Sequence, residues 1–274
     1  MRMKVNKFYL GEAAEVMSEM PNNFVDLTVT SPPYDRMRTY EGSSFIFEDF
    51  KKIAKELYRV TKVGGVVVWV VGDQTKDGSE SFTSFKQAMY FKDVCGFKAH
   101  DTMIYQKTGF SNPSSNRYHQ VFEYMFIFVK GKLKTFNPLK DRENVYAGKQ
   151  RWGKNMKRHI DGSLQQREDT PPTDKYGMRF NIWRISAGGN VSTSDKVAFD
   201  HPAIFPEQLA RDHIISWSNE GDLVLDPLCG SGTTCKMAHM LNRNWIGIDR
   251  IKKYIEISEE RLKKHGWEDN NEEK

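Results

Sequence analysis

Two short stretches carry residue types that can act on a ligand together. The first, Thr30-Ser31-Pro32-Pro33-Tyr34, directly follows the apolar run at residues 24–29. A β-branched run that stops at two prolines reads as a strand whose hydrogen-bond ladder is cut off, because neither proline has an amide hydrogen to donate. Each proline also keeps the residue before it out of the helical region, so the segment stays extended with carbonyls free to accept. That makes a rigid polar lip suited to a hydrogen-bond donor. The simpler alternative is that the prolines only close the strand and Tyr34 covers the core.

The second stretch runs from Leu223-Val224-Leu225 into Asp226-Pro227-Leu228-Cys229-Gly230-Ser231-Gly232-Thr233-Thr234. A helix at 235–241 and the strand Trp245-Ile246-Gly247-Ile248, ending in Asp249, follow. Strand, Gly-x-Gly turn, helix and a second strand ending in an acid form the first unit of a nucleotide-binding sheet. Gly230 and Gly232 are expected to let backbone approach the ligand, Thr233 and Thr234 to offer capping hydroxyls, and Asp249 to accept from two ribose hydroxyls. The third glycine of a dinucleotide fingerprint is missing. Asp226 at the head of the turn would repel a pyrophosphate and attract a cation, so a sulfonium or ammonium ligand fits better. Its alternative role is a structural cap.

The elements that position these stretches alternate. A short strand at 7–10 leads through Gly11-Glu12-Ala13 into a helix at 14–20. Phe50, Ile53, Leu57 and Val60 repeat at helical spacing within 47–61, and Lys62-Val63-Gly64-Gly65 ends that helix. Residues 66–71 are a continuous apolar run, the pattern of a strand buried on both faces, with Asp73 just beyond it. A helix at 82–95 and strands at 103–106 and 121–129, read as an antiparallel pair at a sheet edge, come next. A helix at 207–217 precedes the glycine turn, and one at 251–264 closes the order. The expected class is α/β.

The 274 residues carry a formal charge of +5, unevenly spread. Residues 130–184 hold 14 Lys or Arg against 6 Asp or Glu, and the rest of the chain is on balance acidic. Basic residues interleaved with Trp152, His159, Tyr176 and Trp183 suit a surface that meets phosphates and bases; the alternative is a solvated loop region. Cys95, Cys229 and Cys235 give no paired framework and no CxxC spacing, so a reduced compartment without structural metal is expected. No apolar run approaches the roughly 18 residues that span a bilayer, and Met1-Arg2-Met3-Lys4 leads into no secretory segment, which predicts a cytoplasmic protein.

With both motifs in hand, the sequence resembles the S-adenosylmethionine-dependent DNA amino-methyltransferases, in the beta arrangement where the catalytic tetrapeptide precedes the cofactor turn. Ser31-Pro32-Pro33-Tyr34 resembles the catalytic motif and Asp226 to Thr234 the methionine-binding turn. His201-Pro202-Ala203-Ile204-Phe205-Pro206 resembles the segment before that turn. Gly11-Glu12-Ala13 resembles the turn that meets adenine, where many relatives carry Asp in place of Glu12.

The resemblance implies a Rossmann-like methyltransferase sheet, mostly parallel with an antiparallel edge hairpin and a circularly permuted motif order. Residues 1–130 and 200–274 would form the catalytic domain and 131–199 a basic target-recognition region. It implies S-adenosylmethionine as cofactor, held by Glu12, Ala13, Thr30, His201, Pro202, Phe205, Pro206, the turn from Asp226 and Pro227 through Cys229 to Thr234, and Asp249. Double-stranded DNA is the implied partner, together with a cognate restriction endonuclease and a second copy of the chain.

The amine of cytosine or adenine is a poor nucleophile because its lone pair is conjugated into the ring. Ser31 Oγ and the Pro32 carbonyl, followed by Pro33, are the expected acceptors for its hydrogens, and Tyr34 is the face on which an extruded base stacks. Asp73 resembles the acid that some members pair with the serine, or is a turn cap. Arg36, Arg38 and Tyr40 are expected to close over the base or hold a phosphate, unless they form a solvated loop, and Arg151, Lys154, Lys157 and Arg158 to meet DNA. Serine in the first motif position is associated in the resembling family with cytosine N4; adenine N6 is the alternative.

Overall fold

The computed structural model describes residues 3–33, 45–109, 115–149, 156–166, 172–186, 188 and 191–268. Tyr34, Arg36, Arg38, Tyr40, Arg151 and Lys154 lie outside the described residues.

Periodicity and apolar runs become elements largely where expected. Phe50, Ile53, Leu57 and Val60 all point inward from one helix, α2, and Val66 to Val71 are almost fully buried, as a strand covered on both faces must be. In chain order the sheet strands are β1 (Lys7–Leu10), β2 (Val25–Thr30), β3 (Thr61–Val71), β4 (Lys98–Gln106), β5 (Phe122–Val129), β6 (Ile182–Arg184), β7 (Leu223–Asp226) and β8 (Asn244–Asp249). The helices are α1 (Ala13–Ser18), α2 (Phe47–Val60), α3 (Thr83–Met89), α4 (Glu207–Trp217), α5 (Thr233–Met240) and α6 (Lys252–Lys263). Among the described residues none is long and apolar enough to cross a membrane.

The strands form one sheet in the order β1-β8-β7-β2-β3-β5-β4-β6. Only β5 runs against the rest: it pairs antiparallel with β3 and β4, and the other pairings are parallel. This is the Rossmann-like methyltransferase sheet that the resemblance implies. It has one addition. The antiparallel pair does not end the sheet, because β6, from within the basic segment, adds a parallel strand beside β4.

Two local details differ from the sequence reading. Strand β3 starts at Thr61, directly at the end of α2, because Gly64 adopts a positive φ of 89° and Gly65 lets the chain pass the Asp26 carbonyl. A Cβ at Gly65 would lie 2.8 Å from that oxygen. The helix expected over 82–95 is α3 followed by a π-helical turn at Tyr90–Cys95. Gly96, at φ 93°, ends it.

The chain divides into two compact units, residues 138–180 and the remainder. The core of the larger unit gathers α2, β3, β5 and the π-helical turn around aromatic rings. Phe50 contacts Trp69 and Phe91 edge-on, with centroids 5.6 and 5.1 Å apart. The smaller unit consists of two short antiparallel ribbons, Arg142–Glu143 with Tyr176–Gly177 and Met156–Arg158 with Leu164–Gln166. Lys157 and Arg158 are exposed there, and the Arg142 guanidinium lies over the Phe180 ring at 4.5 Å.

Because Phe50 is fully buried at the centre of the aromatic cluster, Phe50→Ala should cost about 3–5 kcal/mol in equilibrium urea unfolding.

Candidate active site

In a parallel sheet, ligand sites form beyond the carboxyl ends of the strands. Both sequence motifs lie there, on adjacent strands: Val224 and Leu225 of β7 pair with Leu27 and Thr28 of β2. At the strand ends the Thr30 hydroxyl donates to Asp226 Oδ1 at 2.7 Å. A cavity of about 1000 Å³ opens over them. Ser31, Pro32 and Pro33 line one part, and Asp226, Pro227, Cys229, Gly230, Ser231 and Thr233 another. Glu12, Ala13, His201, Pro202, Phe205, Pro206 and Asp249 complete the set expected from sequence. Thr30, Gly232 and Thr234 stand behind this wall instead.

The turn is held from the rear. Gly230 and Gly232 both take positive φ, 50° and 73°. A Cβ at Gly230 would lie 2.7 Å from His201 Nε2, and one at Gly232 2.7 Å from the Ser258 side chain. The glycines thus admit neighbouring protein rather than leaving room for ligand alone. The expected capping by threonines is also corrected. Thr233 accepts from Arg261 at 3.0 Å and Thr234 donates to the Val29 carbonyl at 3.2 Å, because both side chains are buried between helix and sheet.

The carboxylates differ in their surroundings. Asp226 accepts from Thr30 and, at 3.2 Å, from the Leu228 amide. Burial still pushes its carboxyl up to about 6. Asp249 accepts from the Gly230 amide at 3.0 Å and the Ile251 amide at 2.9 Å, and burial raises it too. Each oxygen has two lone-pair directions, so capacity for ligand hydroxyls remains. Glu12 reaches Arg250 at 3.4 Å on the cavity rim.

Asp73 is elsewhere. Its buried carboxylate accepts from the Ser84 amide at 3.0 Å and from the Ser84 and Ser81 hydroxyls, which caps the first turn of α3. It is not among the residues that line the cavity.

Sequence reasoning missed two groups. Tyr105, Lys107 and Glu123 line the cavity from β4 and β5, with Lys107 and Glu123 paired at 2.5 Å; their position at strand ends on the motif side was the available signal. The second is a buried ionic cluster. Lys236 Nζ lies 2.7 Å from both Asp195 and Glu207, while Arg261 reaches the same two acids and donates to the Ser231 carbonyl at 2.5 Å. Burial opposes ionisation of Asp195, but hydrogen bonds from Lys236 and Arg261 outweigh it and hold the carboxyl at about 2. No local pattern links acids and bases so far apart in sequence.

A family model described as DNA methylase, N6_N4_Mtase, matches residues 25–260, which include both motifs and the sheet between them. The chain belongs to this family. The family's transfer reaction draws on S-adenosylmethionine. Among curated relatives, the chain is 57% identical to the orphan methyltransferase M.BamHII of Bacillus amyloliquefaciens, over 88% of this chain and 89% of that protein. It is 30% identical to the type II methyltransferase M.HpaI of Haemophilus parainfluenzae, over 91% and 72%. Among solved structures, the PvuII DNA methyltransferase, described as cytosine-N4-specific, shares the fold with a TM-score of 0.66 at 19% identity, covering 98% of this chain and 89% of that one. A DNA modification methylase of Thermus thermophilus, solved with S-adenosyl-L-methionine, aligns with a TM-score of 0.59 at 23% identity, covering 94% of each chain.

The residues of this DNA methylase fit that cofactor. Asp226 offers a buried carboxylate to a cationic amino acid moiety, Asp249 a second acceptor at the next strand end, and the cavity joins both to Ser31.

A carboxyl with a raised folded pKa stabilises the ligand-free protein fully below its ordinary value, and this contribution is lost as pH rises through about 6. Asp226→Asn should therefore flatten the loss of unfolding free energy between about pH 4 and 7, and weaken S-adenosylmethionine binding by calorimetry more than tenfold at neutral pH. Asp73→Ala should lower stability by about 1 kcal/mol through the lost cap while leaving methyl transfer within about twofold.

Proposed function

We propose that the protein methylates the exocyclic N4 amine of a cytosine extruded from duplex DNA. The observation that carries this reading is the shared cavity: the proline-bound lip Ser31-Pro32-Pro33 and the turn beginning at Asp226 line one space. Bound at that turn, S-adenosylmethionine supplies a methyl group on a positively charged sulfur. Ser31 Oγ and the Pro32 carbonyl accept the amine hydrogens, which turns the nitrogen lone pair out of the ring and toward the methyl group. The nitrogen–carbon bond forms as the carbon–sulfur bond breaks, and the amine then gives up a proton. Orientation and fixed dipoles suffice for such a transfer.

No cysteine nucleophile is required. The buried Cys229 and Cys235 thiols are pushed up by burial, which suits inert packing rather than attack. Extrusion is required because a stacked amine is out of reach, and Tyr34 supplies the stacking face, worth about 1–3 kcal/mol. The basic segment, with Lys157 and Arg158, supplies phosphate contacts and sequence preference. Asp73 takes no part in this reading, since its oxygens are held by α3.

Support for cytosine comes from Ser31 in the first motif position and from the likeness in fold to the PvuII enzyme described as cytosine-N4-specific. Mass spectrometry of nucleosides after incubation with DNA and cofactor should show N4-methylcytosine; N6-methyladenine would replace this reading with the adenine one. Ser31→Ala should reduce kcat by roughly 10²-fold with cofactor affinity unchanged. Full activity in that variant would remove Ser31 from the reaction.

A further inference from the structure

The cavity has a wall that the reaction as proposed does not use. Strand β4 brings Tyr105 to it, directly opposite Glu123 on β5 in the sheet register. The Tyr105 side chain is only 2% exposed, yet its Oη has no hydrogen-bond partner among the described residues. Two other buried polar atoms share that condition, Thr28 Oγ1 and Trp245 Nε1. Both belong to strand interiors and neither residue lines the cavity. Tyr105 is the one of the three that faces space a ligand can enter.

An unsatisfied buried hydroxyl costs about 1–3 kcal/mol, so one retained at a cavity wall has a use when the cavity fills. The chemistry of the occupant narrows that use. Burial, reinforced by the Glu123 carboxylate, raises the phenol pKa, so Tyr105 stays protonated and can donate at any working pH. Glu123 is itself occupied by Lys107 at 2.5 Å. The hydroxyl is a neutral donor beside a closed ion pair. Both cytosine and adenine carry a ring nitrogen next to the reacting amine, N3 in one and N1 in the other, and each is an acceptor. In thymine and guanine the corresponding ring nitrogen carries a hydrogen.

We propose that Tyr105 is a specificity-determining residue whose hydroxyl donates to the ring nitrogen beside the amine of the extruded base, while Ser31 and Pro32 hold the amine itself. The inference rests on the base-methylating reading above and adds a second point of contact. Two contacts on one edge fix the base in its plane, which one contact at the amine cannot do.

The test is a cycle between protein and substrate. The modified base and its sequence context are first read from DNA methylated by the wild-type protein. Duplexes are then made with the natural base or with its ring nitrogen replaced by carbon, 3-deazacytosine or 1-deazaadenine as the product dictates. Tyr105→Phe removes only the oxygen, so melting temperature and S-adenosylmethionine Kd should be unchanged. Its kcat/KM on the natural duplex should fall roughly tenfold, as for loss of one hydrogen bond in a closed site. On the deaza duplex, variant and wild type should be equal.

Wild-type kcat/KM for Tyr105→Phe on natural DNA overturns the inference and leaves the methylation reading standing, as does an equal fold loss on both duplexes. A wild-type protein that methylates no base removes the reading and the inference together. Should the variant fail to fold, the wild-type protein decides alone: roughly tenfold slower transfer to the deaza duplex supports the contact, and an equal rate overturns it.

Discussion

The hydrogen bond from Thr30 to Asp226 joins residues that are 196 positions apart. It lies where two parallel strands end side by side, and everything chemical in the molecule is arranged around it. On one side the chain leaves the sheet through Ser31 and two prolines; on the other it enters the glycine turn. Because Asp226 is buried, the Thr30 hydroxyl and the Leu228 amide are what keep its carboxylate aimed in one direction. A buried carboxylate with few partners is costly in the empty protein and favourable once a cation arrives. The site is therefore built for a positively charged ligand at the cost of some stability without it.

That arrangement requires a rigid frame, and the frame is on the far side of the turn. The Arg261 guanidinium holds the Ser231 carbonyl and the Thr233 hydroxyl while pairing with Asp195 and Glu207, which Lys236 also bridges. Helices α4, α5 and α6 each contribute one charged residue to this cluster. Such a network fixes geometry more than it adds stability, since desolvating the charges offsets much of their attraction. Its consequence is local: the turn cannot shift without breaking ion pairs on three helices.

Across the cavity, β4 and β5 provide a different kind of wall. The single antiparallel strand reverses direction, so Glu123 at its start stands beside Tyr105 and Lys107 at the end of β4. A parallel strand in that place would bring its carboxyl end there instead. One reversed strand thus sets which side chains face the lip.

Much was readable without coordinates. The continuous apolar run at Val66–Val71, the helical spacing of Phe50 to Val60 and the order of strand, glycine turn, helix and acid follow from burial and backbone rules that act within a few residues, so they determined the layer class, both motifs and a cationic ligand. The same rules misjudged where β3 begins, because a bulge beside Gly64 and Gly65 depends on the neighbouring strand. They also left Asp73 with two roles, and the carboxylate's hold on Ser84 decided for the cap. Only the tertiary structure brought Thr30 to Asp226, closed the Asp195 cluster, turned the expected capping threonines inward and exposed the unpartnered hydroxyl of Tyr105 to the cavity. Those features depend on strand order and on which face each helix covers, and contacts between distant segments are set by the packing of the whole chain rather than by any local pattern of residues.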